Sequence, residues 1–464
     1  MDQKIYQAYV DILREELIPA TGCTEPIAVA YAGALAKKAL GALPERVELT
    51  VSGNIIKNVK SVIVPHTAGR KGLRTAVAAG ICCGNADKEL EVLSDVTAEA
   101  LGRMDDFLST AEFVFGKSTA NCPFDIQVRL FAGDDSSYVR MIGHHTNVVR
   151  IEKNGEILLD KPFSDEVVQA PGNRTLLTVE QIVAFADEVR LDDVRDILKR
   201  QIDCNMKIAE TGLRETYGAS IGKILLQSYG NSVQNRAKAW AAAGSDARMN
   251  GCELPVVINS GSGNQGMTAS IPVIIYAKEC NVSEDLLYRA LVVSNLVTIH
   301  LKTGIGSLSA YCGATSAGAG AGAGICYLYG GRYDEIAHTI VNALAINSGM
   351  ICDGAKSSCA AKIASAVEAG LLGWQMNAHD SQFYGGDGIV VKGVENTICA
   401  VSTLAREGMR ATDDEIIHLM MENSSLACCA PFLNGKTALE RENSFFLFAK
   451  KALQIRKNVV CFLQ

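Results

Sequence analysis

Residues 124–133 read Phe-Asp-Ile-Gln-Val-Arg-Leu-Phe-Ala-Gly, and this stretch decides the fold of the first part of the chain. Apolar and polar side chains alternate along it and a glycine ends it, which is typical of a half-buried β-strand followed by a turn. Similar stretches, separated by Gly, Asn and Asp, recur between Arg46 and Glu166. We therefore expect an α+β domain over residues 43–168 that contains a largely antiparallel sheet, with one helix near residues 72–90.

The pattern changes after the Pro-Gly-Asn sequence at 171–173, where apolar residues begin to recur every three or four positions. Several of these segments start with Thr, Ser or Asp, which favour helix N-termini. Residues 169–464 are therefore predicted to form a larger all-helical domain, on which two helices in residues 1–42 pack. The Ala-Gly repeat at 317–324 would be weak as an isolated helix, because each glycine costs about 1 kcal/mol. We expect it to be buried where neighbouring backbones approach closely.

Composition excludes some classes of protein. The 464 residues include 44 basic and 51 acidic side chains, a net charge of −7, without a long basic run. Nucleic acid is not an expected partner, because phosphate binding needs clustered Lys and Arg. The longest uncharged stretch, Thr303–Gly331, consists mostly of Gly, Ala and Ser and is too weakly apolar for a membrane helix. The charged N-terminal segment resembles a helix rather than a signal peptide, so we expect a cytoplasmic protein, and the Gly-rich helix faces are compatible with a homodimer.

Three of the 15 cysteines stand out. Most of the others sit beside apolar residues, which is typical of small buried side chains, and no CxxC or finger-type Cys/His spacing indicates structural zinc. Cys352 and Cys359 enclose Asp-Gly-Ala-Lys-Ser-Ser before a helical segment, and Cys312 lies forty residues earlier before a glycine. Three thiols at turns or helix starts suit an iron–sulfur cluster better than zinc, and a cluster with three thiolates leaves one iron open as a Lewis acid. The alternative at this point is that the spacing arises from core packing.

A family resemblance gives these residues a role. The Cys-Asp-Gly-Ala-Lys-x-x-Cys segment, with a Cys-Gly about forty residues earlier, resembles the iron–sulfur L-serine dehydratase α-chain family. The Gly-Cys-Thr-Glu-Pro segment at 22–26 is similar to the L-cysteine desulfidase branch of that family, and the resemblance covers essentially the full chain. It implies that Cys312, Cys352 and Cys359 ligate a [4Fe-4S] cluster with one open iron. It also implies that Cys23 is the base that removes the α-proton of the substrate.

The implied reaction is the β-elimination of L-cysteine to hydrogen sulfide, ammonia and pyruvate via 2-aminoacrylate. The nearest alternative is an L-serine dehydratase, which shares the cluster and the elimination. A cluster-bearing sensor without turnover is a further alternative, although such a sensor needs neither a base nor a substrate loop. The part played by Cys461, near the C-terminus, stays open at this stage.

A Gly-rich loop at 259–266 follows a short apolar stretch and could bind the substrate carboxylate through amide N–H groups and side chains. Its alternative interpretation is an ordinary turn before a helix. The candidates in this loop are Ser262, Gly263, Asn264 and Gln265, and Asn58 is a further candidate from the loop at 53–58.

The Ser-Gly-Asn sequence in the same loop also resembles the carboxylate loop of pyridoxal-phosphate-dependent dehydratases. Those enzymes need a Schiff-base lysine, and neither Lys223 nor Lys238 stands in the expected sequence context. The histidines share no metal-ligand spacing; His300 and Lys302, just before the uncharged stretch, are the first pair to compare with the candidate ligands.

Overall fold

The computed structural model describes residues 1–22, 24–120, 122, 124–143, 145–162, 173–306 and 309–422. The chain divides into two compact units, Met1–Ile417 and His418–Gln464. The second unit begins within the last helix, and of this unit the structure describes residues 418–422. Cys23 and Cys461, both considered above, lie outside the described residues.

The first part of the chain forms a six-stranded mixed sheet in the order β3-β2-β4-β5-β6-β7. Neighbouring strands are antiparallel except for β2 and β3, which are parallel and joined by a helical connection. A separate two-stranded antiparallel ribbon pairs β1 with β8. The strands are β1 Pro19–Thr21, β2 Arg46–Val51, β3 Glu112–Lys117, β4 Asp125–Ala132, β5 Asp135–Ile142, β6 Val148–Lys153, β7 Glu156–Asp160 and β8 Pro255–Val257.

Helices make up most of the rest of the described chain. Their bounds are α1 Gln3–Glu16, α2 Thr24–Leu40, α3 Gly53–Val59, α4 Gly72–Cys83, α5 Ala98–Thr110, α6 Val179–Glu188, α7 Arg195–Arg214, α8 Ile221–Tyr229, α9 Val233–Met249, α10 Gly263–Glu279, α11 Glu284–Ile305, α12 Gly313–Leu328, α13 Tyr333–Ile346, α14 Cys359–Ala378, α15 Val394–Thr403 and α16 Arg410–Glu422. The expected α+β fold with a large helical part is confirmed.

The alternation in residues 124–133 has the predicted effect. Ile126, Val128 and Leu130 on β4 are fully buried on one face, opposite Val139 and Met141 of β5. The helices α2 and α4 cover this face and share one hydrophobic core with the sheet. A second, larger core lies among the helices after residue 176 and includes α1. The two N-terminal helices therefore pack on different cores, whereas both were expected on the helical part.

Two features of the sheet region differ from the sequence expectations. The helix expected near residues 72–90 ends at Cys83, and residues 86–91 form a separate 3₁₀ turn in which no residue is buried. The helices α3 and α5 were not predicted. Each begins after a residue with extended backbone, Ser52 or Thr97, and the Thr97 hydroxyl accepts a hydrogen bond from the Ala100 N–H.

The Ala-Gly repeat is buried within α12, as predicted, between α11 and α14. A Cβ at Gly318 would lie 2.1 Å from the Ala366 carbonyl oxygen of α14, and one at Gly320 would lie 2.2 Å from the Thr298 hydroxyl of α11. Side chains at these positions would separate the helices, so glycine is what allows the backbones to touch. None of the described helices is both long enough and apolar enough to cross a membrane.

Candidate functional site

A short backbone pairing brings together Cys312 and Cys352, which are forty residues apart in sequence. Tyr311 and Ile351 form an isolated antiparallel bridge. The Cys312 N–H donates to the Met350 carbonyl at 2.9 Å, and the Cys352 N–H donates to the Ala310 carbonyl at 2.5 Å. Cys312 is also the N-cap residue of α12, so its thiol lies at a helix N-terminus.

The third cysteine of the predicted set lies beside the first two. Cys359 is the first residue of α14, and its thiol lies 3.5 Å from the Gly354 carbonyl oxygen, to which it donates. The Cys312 thiol hydrogen-bonds to the Cys352 sulfur, and Cys359 is close enough to both to act on them electrostatically. The structure therefore gathers the three thiols from two loops at the entry of two helices.

The environment of the thiols is cationic. The hydrogen bond from Cys312 lowers the pKa of the Cys352 thiol in spite of burial, and the ammonium groups of Lys57 and Lys302 lower it further. The same hydrogen bond, together with burial, raises the pKa of the Cys312 thiol. Burial lowers the pKa of Lys302, whose ammonium donates to the Gly306 carbonyl at 2.6 Å. Lys57 and Lys302 thus favour the thiolate form of Cys352, the form that binds iron, whereas burial raises the pKa of the Cys359 thiol.

Asp353 fixes two further lysines next to the thiols. Its carboxylate accepts from the Lys356 ammonium at 2.5 Å and also from Lys362 of α14. Burial raises the pKa of this carboxyl, but the two lysine hydrogen bonds outweigh it and hold the pKa below its usual value. Lys362 also donates to the Ile351 carbonyl at 2.6 Å, so the triad ties the loop to the helix that starts at Cys359.

The sheet region contributes one wall of the site through α3. Gly354 has a φ of +90°, and a Cβ there would lie 1.9 Å from the Lys57 carbonyl oxygen, so the thiol loop touches the α3 backbone. Asn58 follows Lys57 directly. Its carboxamide donates a hydrogen bond of 3.3 Å to the carboxylate of Glu25, which lies at the start of α2. The predicted substrate residue Asn58 therefore lies between the thiol loop and the segment that follows Cys23.

The Gly-rich loop ends at the N-terminus of α10. Ser262 is the N-cap, and its hydroxyl accepts from the Gln265 N–H at 3.5 Å, while its own N–H bonds to the Asn259 carbonyl at 3.0 Å. Within the described chain, the N–H groups of Gly263 and Asn264 find no acceptor. This leaves two amide donors and the positive end of the helix dipole for an anion.

Gln265 connects this loop to the thiols. A Cβ at Gly313, directly after Cys312, would lie 2.5 to 2.7 Å from the carboxamide atoms of Gln265, so the amide rests on the start of α12. Gln265 is 6% exposed, and its Oε1 has no hydrogen-bond partner among the described residues. Of the predicted substrate residues in this loop, Gln265 therefore lies next to the candidate cluster ligands.

Sequence reasoning missed the buried amide network that supports the loop. Gln201 and Asn295 exchange hydrogen bonds of 2.9 and 2.8 Å, and the Asn259 carboxamide donates to Asn295 at 3.0 Å. All three side chains are fully buried. They fix Asn259 directly before Ser260 and Gly261, both of which have positive φ values. The sequence shows that helices α7 and α11 carry polar residues, but it does not show that these residues contact each other.

Sequence reasoning also missed Arg248, at the end of α9. Its guanidinium donates to the Gly22 carbonyl at 3.3 Å and approaches the Asn264 carboxamide at 3.5 Å. Gly22 directly precedes Cys23, so Arg248 joins the loop at α10 to the segment that carries the predicted base. A basic residue near a helix C-terminus is common, and nothing in the sequence distinguished this one.

The donor set fits an iron–sulfur cluster better than a single ion. In the described part of the chain, no group of three or more His, Cys, Asp or Glu side chains is arranged to hold a lone metal ion. In an iron–sulfur cluster, by contrast, each thiolate ligand binds a different iron. Three adjacent thiols surrounded by lysines suit the second arrangement, because a cluster with thiolate ligands carries net negative charge.

The other residues considered in the sequence, two of the three lysines and one histidine, have partners away from the thiols. His300 pairs with Glu395 at 2.7 Å and not with the thiols, whereas Lys302 does face them. Lys238 pairs with Glu368 at 2.6 Å, and Lys223 donates to the Arg214 carbonyl at 3.3 Å.

Comparisons with known proteins show the family of this chain. The profile of the family described as "Serine dehydratase alpha chain" matches residues 87–418. A UPF0597 protein of Desulfitobacterium hafniense is 55% identical over 422 residues, which cover 91% of this chain and 98% of the relative. UPF0597 proteins of Lachnoclostridium phytofermentans and Treponema denticola are 50% and 46% identical, cover 90% and 91% of this chain, and are themselves covered completely. The chain therefore belongs to the serine dehydratase alpha chain family.

Proposed function

We propose that this protein is an L-cysteine desulfidase, an iron–sulfur-dependent carbon–sulfur lyase. Family membership supports the coarser assignment, a dehydratase-type lyase of a family whose members generally contain an iron–sulfur cluster. The observation that carries the proposal is the meeting of the thiols of Cys312, Cys352 and Cys359 at two helix starts. In the proposal these three residues hold a [4Fe-4S] cluster, which when bound supplies an open iron that acts as a Lewis acid.

The chain's own residues have the remaining tasks of binding the amino acid and moving its α-proton. The Gln265 carboxamide lies next to Cys312, whereas the free amides at the start of α10 and the Asn264 carboxamide lie next to Arg248; together these groups suit a substrate carboxylate. Asn58 and Ser262 are proposed to shape the same site, Asn58 through its bond to Glu25 and Ser262 as the cap of α10.

Cys23 is the proposed base. The helix α2 begins at Thr24, directly after it, so the helix N-terminus favours the thiolate form of a cysteine at this position. The thiolate takes the Cα proton, the Cα–H electron pair forms the Cα=Cβ bond, and the Cβ–S bond breaks to release sulfide. The resulting 2-aminoacrylate becomes its imine, which water hydrolyses to pyruvate and ammonia.

L-serine dehydratase is the second candidate, because the matching family profile carries that activity in its description. The same base and the same carboxylate loop would serve, with water in place of sulfide as the leaving group. The Gly-Cys-Thr-Glu-Pro segment at 22–26 supports the desulfidase assignment through the resemblance given above. We propose a cytoplasmic location for either activity.

The test is a comparison of two substrates on protein purified without oxygen. We expect about four iron atoms per chain and a broad visible absorbance band. L-cysteine should yield equal amounts of sulfide, pyruvate and ammonia, and L-serine should yield pyruvate more slowly. Faster turnover of L-serine would favour the dehydratase, and an active protein without iron would rule out the cluster.

Single substitutions in the same assay separate the ligands from the base. Cys352→Ala should lose most of its iron together with its activity, whereas Cys23→Ala should keep its iron and lose only turnover. Cys399→Ala is the matched control, because this thiol is exposed on α15. Loss of iron from Cys23→Ala would mean that this residue is a ligand and not the base.

A further inference from the structure

Arg248 is a buried cation that forms no ion pair with any of the described residues. The residue is 8% exposed, and its hydrogen-bond partners are the Gly22 carbonyl at 3.3 Å and the Asn264 carboxamide at 3.5 Å. Its Nε has no hydrogen-bond partner among the described residues, and none of the ion pairs in that part of the chain includes it. Burying a charge without a counter-ion costs several kcal/mol. A folded protein therefore keeps such a charge where a bound ligand supplies the opposite charge.

The guanidinium lies against the N-terminus of a long helix. A Cβ at Gly263, the first residue of α10, would lie 2.5 Å from the Arg248 Nε and 2.9 Å from its Cζ. The unpaired Nε is thus directed at the same helix start where the amides of Gly263 and Asn264 are free. A helix dipole and a guanidinium that converge on one point are two independent preferences for an anion.

The residues after Arg248 connect this point to the thiol loop. Met249 packs with Val62 against Cys359, and the Ser357 hydroxyl donates to the Asn250 carboxamide at 2.8 Å. On the other side, the Gly22 carbonyl that accepts from Arg248 directly precedes Cys23. An anion at Arg248 would therefore lie between Gly22, which precedes the proposed base in sequence, and the loop that leads to Cys359.

We propose that Arg248 binds the α-carboxylate of the substrate, together with the amides at the start of α10. This assignment rests on the proposed function and adds the residue that selects the substrate class. A guanidinium offers parallel N–H donors that match the two oxygens of a carboxylate. A substrate amide has only one acceptor oxygen and cannot form both hydrogen bonds. The site therefore accepts amino acids with a free carboxylate and rejects their amides, whatever the group on Cβ.

The test measures binding without turnover. L-alanine and L-alaninamide have no leaving group on Cβ and differ only in the carboxylate, so titration calorimetry on the anaerobically purified holoenzyme compares them directly. We expect the wild type to prefer L-alanine by at least about tenfold in Kd. In Arg248→Met this preference should fall to within about twofold, and in Arg248→Lys it should be intermediate.

Three controls keep the result interpretable. Arg236→Met removes a charge from the same helix, but Arg236 is paired with Glu279 near the surface, so this variant should keep the wild-type preference. Arg248→Met should also melt at a temperature no lower than the wild type, because the substitution removes an uncompensated buried charge. If Arg248→Met did not fold, the change in preference in Arg248→Lys would decide, with iron content as a check that the holoenzyme is intact.

Two results would overturn the proposal: equal affinity of the wild type for both probes, or an unchanged preference in Arg248→Met. Either could occur in an enzyme that produces sulfide and pyruvate, in which case the proposed function would stand without this residue. Conversely, a wild type that forms no product from L-cysteine or L-serine but shows the Arg248-dependent preference would uphold the carboxylate site and reject the proposed reaction.

Discussion

Asn295 shows how a single buried amide can hold a functional loop. It exchanges hydrogen bonds of 2.8 and 2.9 Å with Gln201 and accepts one of 3.0 Å from Asn259, and none of the three side chains reaches solvent. Asn295→Ala would leave polar groups of both partners buried without a bond. We expect the free energy of unfolding in urea to fall by about 3 kcal/mol, since each stranded group costs about 1–3 kcal/mol.

A double substitution separates lost bonds from lost packing. In Gln201→Leu/Asn295→Leu both partners become apolar, so the double variant should lose less stability than the sum of the two single Leu variants. Asn396→Ala is the surface control, because its carboxamide donates to Lys392 in an exposed turn, and it should change stability by less than about 0.5 kcal/mol. If Asn295→Ala cost no more than this control, the network would not support the loop.

The residues of the site differ in how far the sequence could predict them. Ser262, Gly263 and Asn264 were identifiable because small and amide residues before a helical segment expose backbone donors. Arg248 was not, because one arginine at the end of an alanine-rich helix is ordinary until its burial and its missing counter-ion are known. Charge balance depends on the neighbours in space, which a single sequence does not give.

At the scale of elements, the close packing of α12 leads to a stability prediction. Gly318→Ala would place a methyl group 2.1 Å from the Ala366 carbonyl oxygen, a backbone atom of α14 that cannot move without its helix. Overpacking of this kind costs about 1–3 kcal/mol, so the variant should unfold at a lower urea concentration and a lower temperature. The gain in helix propensity from Gly to Ala, at most about 1 kcal/mol, would offset only part of this.

Gly102→Ala is the matched control, because Gly102 lies within α5 with no atom within 4 Å of the added Cβ. There the propensity gain acts alone, so this variant should be more stable than the wild type by about 0.5–1 kcal/mol. The opposite signs of the two Gly-to-Ala changes are the expected result. A stabilising effect of Gly318→Ala would show that α12 and α14 can separate at little cost.

Elements with a strong periodic pattern were predictable, and short ones were not. The strand β4 follows from strict alternation in residues 124–133, because one face of the sheet packs on α2. The seven-residue helix α3 has too few turns to show a period, although it forms a wall of the site. The bridge between Tyr311 and Ile351, which joins the two cysteine loops, is a single pair of residues and leaves no pattern at all.

Over the whole of the first unit, the site lies where the sheet part and the helical part of the chain touch, at Gly354 and Lys57. The sheet core supplies α3, with Lys57 and Asn58, while the thiols and the loop at 259–266 belong to the helical part. The spacing of apolar residues predicted both regions but not their contact, because that contact joins residues about 300 positions apart. The resemblance to a known family supplied the three cysteines together, which composition and spacing alone left open.

The ion pair between Lys57 and Asp413 connects α16 to this junction, which leads to a prediction for the whole unit. The Lys57 side chain is 4% exposed and that of Asp413 15%, so Asp413→Ala would leave a buried ammonium without its partner. We expect a loss of about 3 kcal/mol in the free energy of unfolding by urea. The adjacent Asp414 pairs with Lys117 at 3.1 Å, but its side chain is 67% exposed, so Asp414→Ala should cost less than about 1 kcal/mol. Equal effects of the two substitutions would show that α16 is held by its general charge and not by the buried pair beside the thiols.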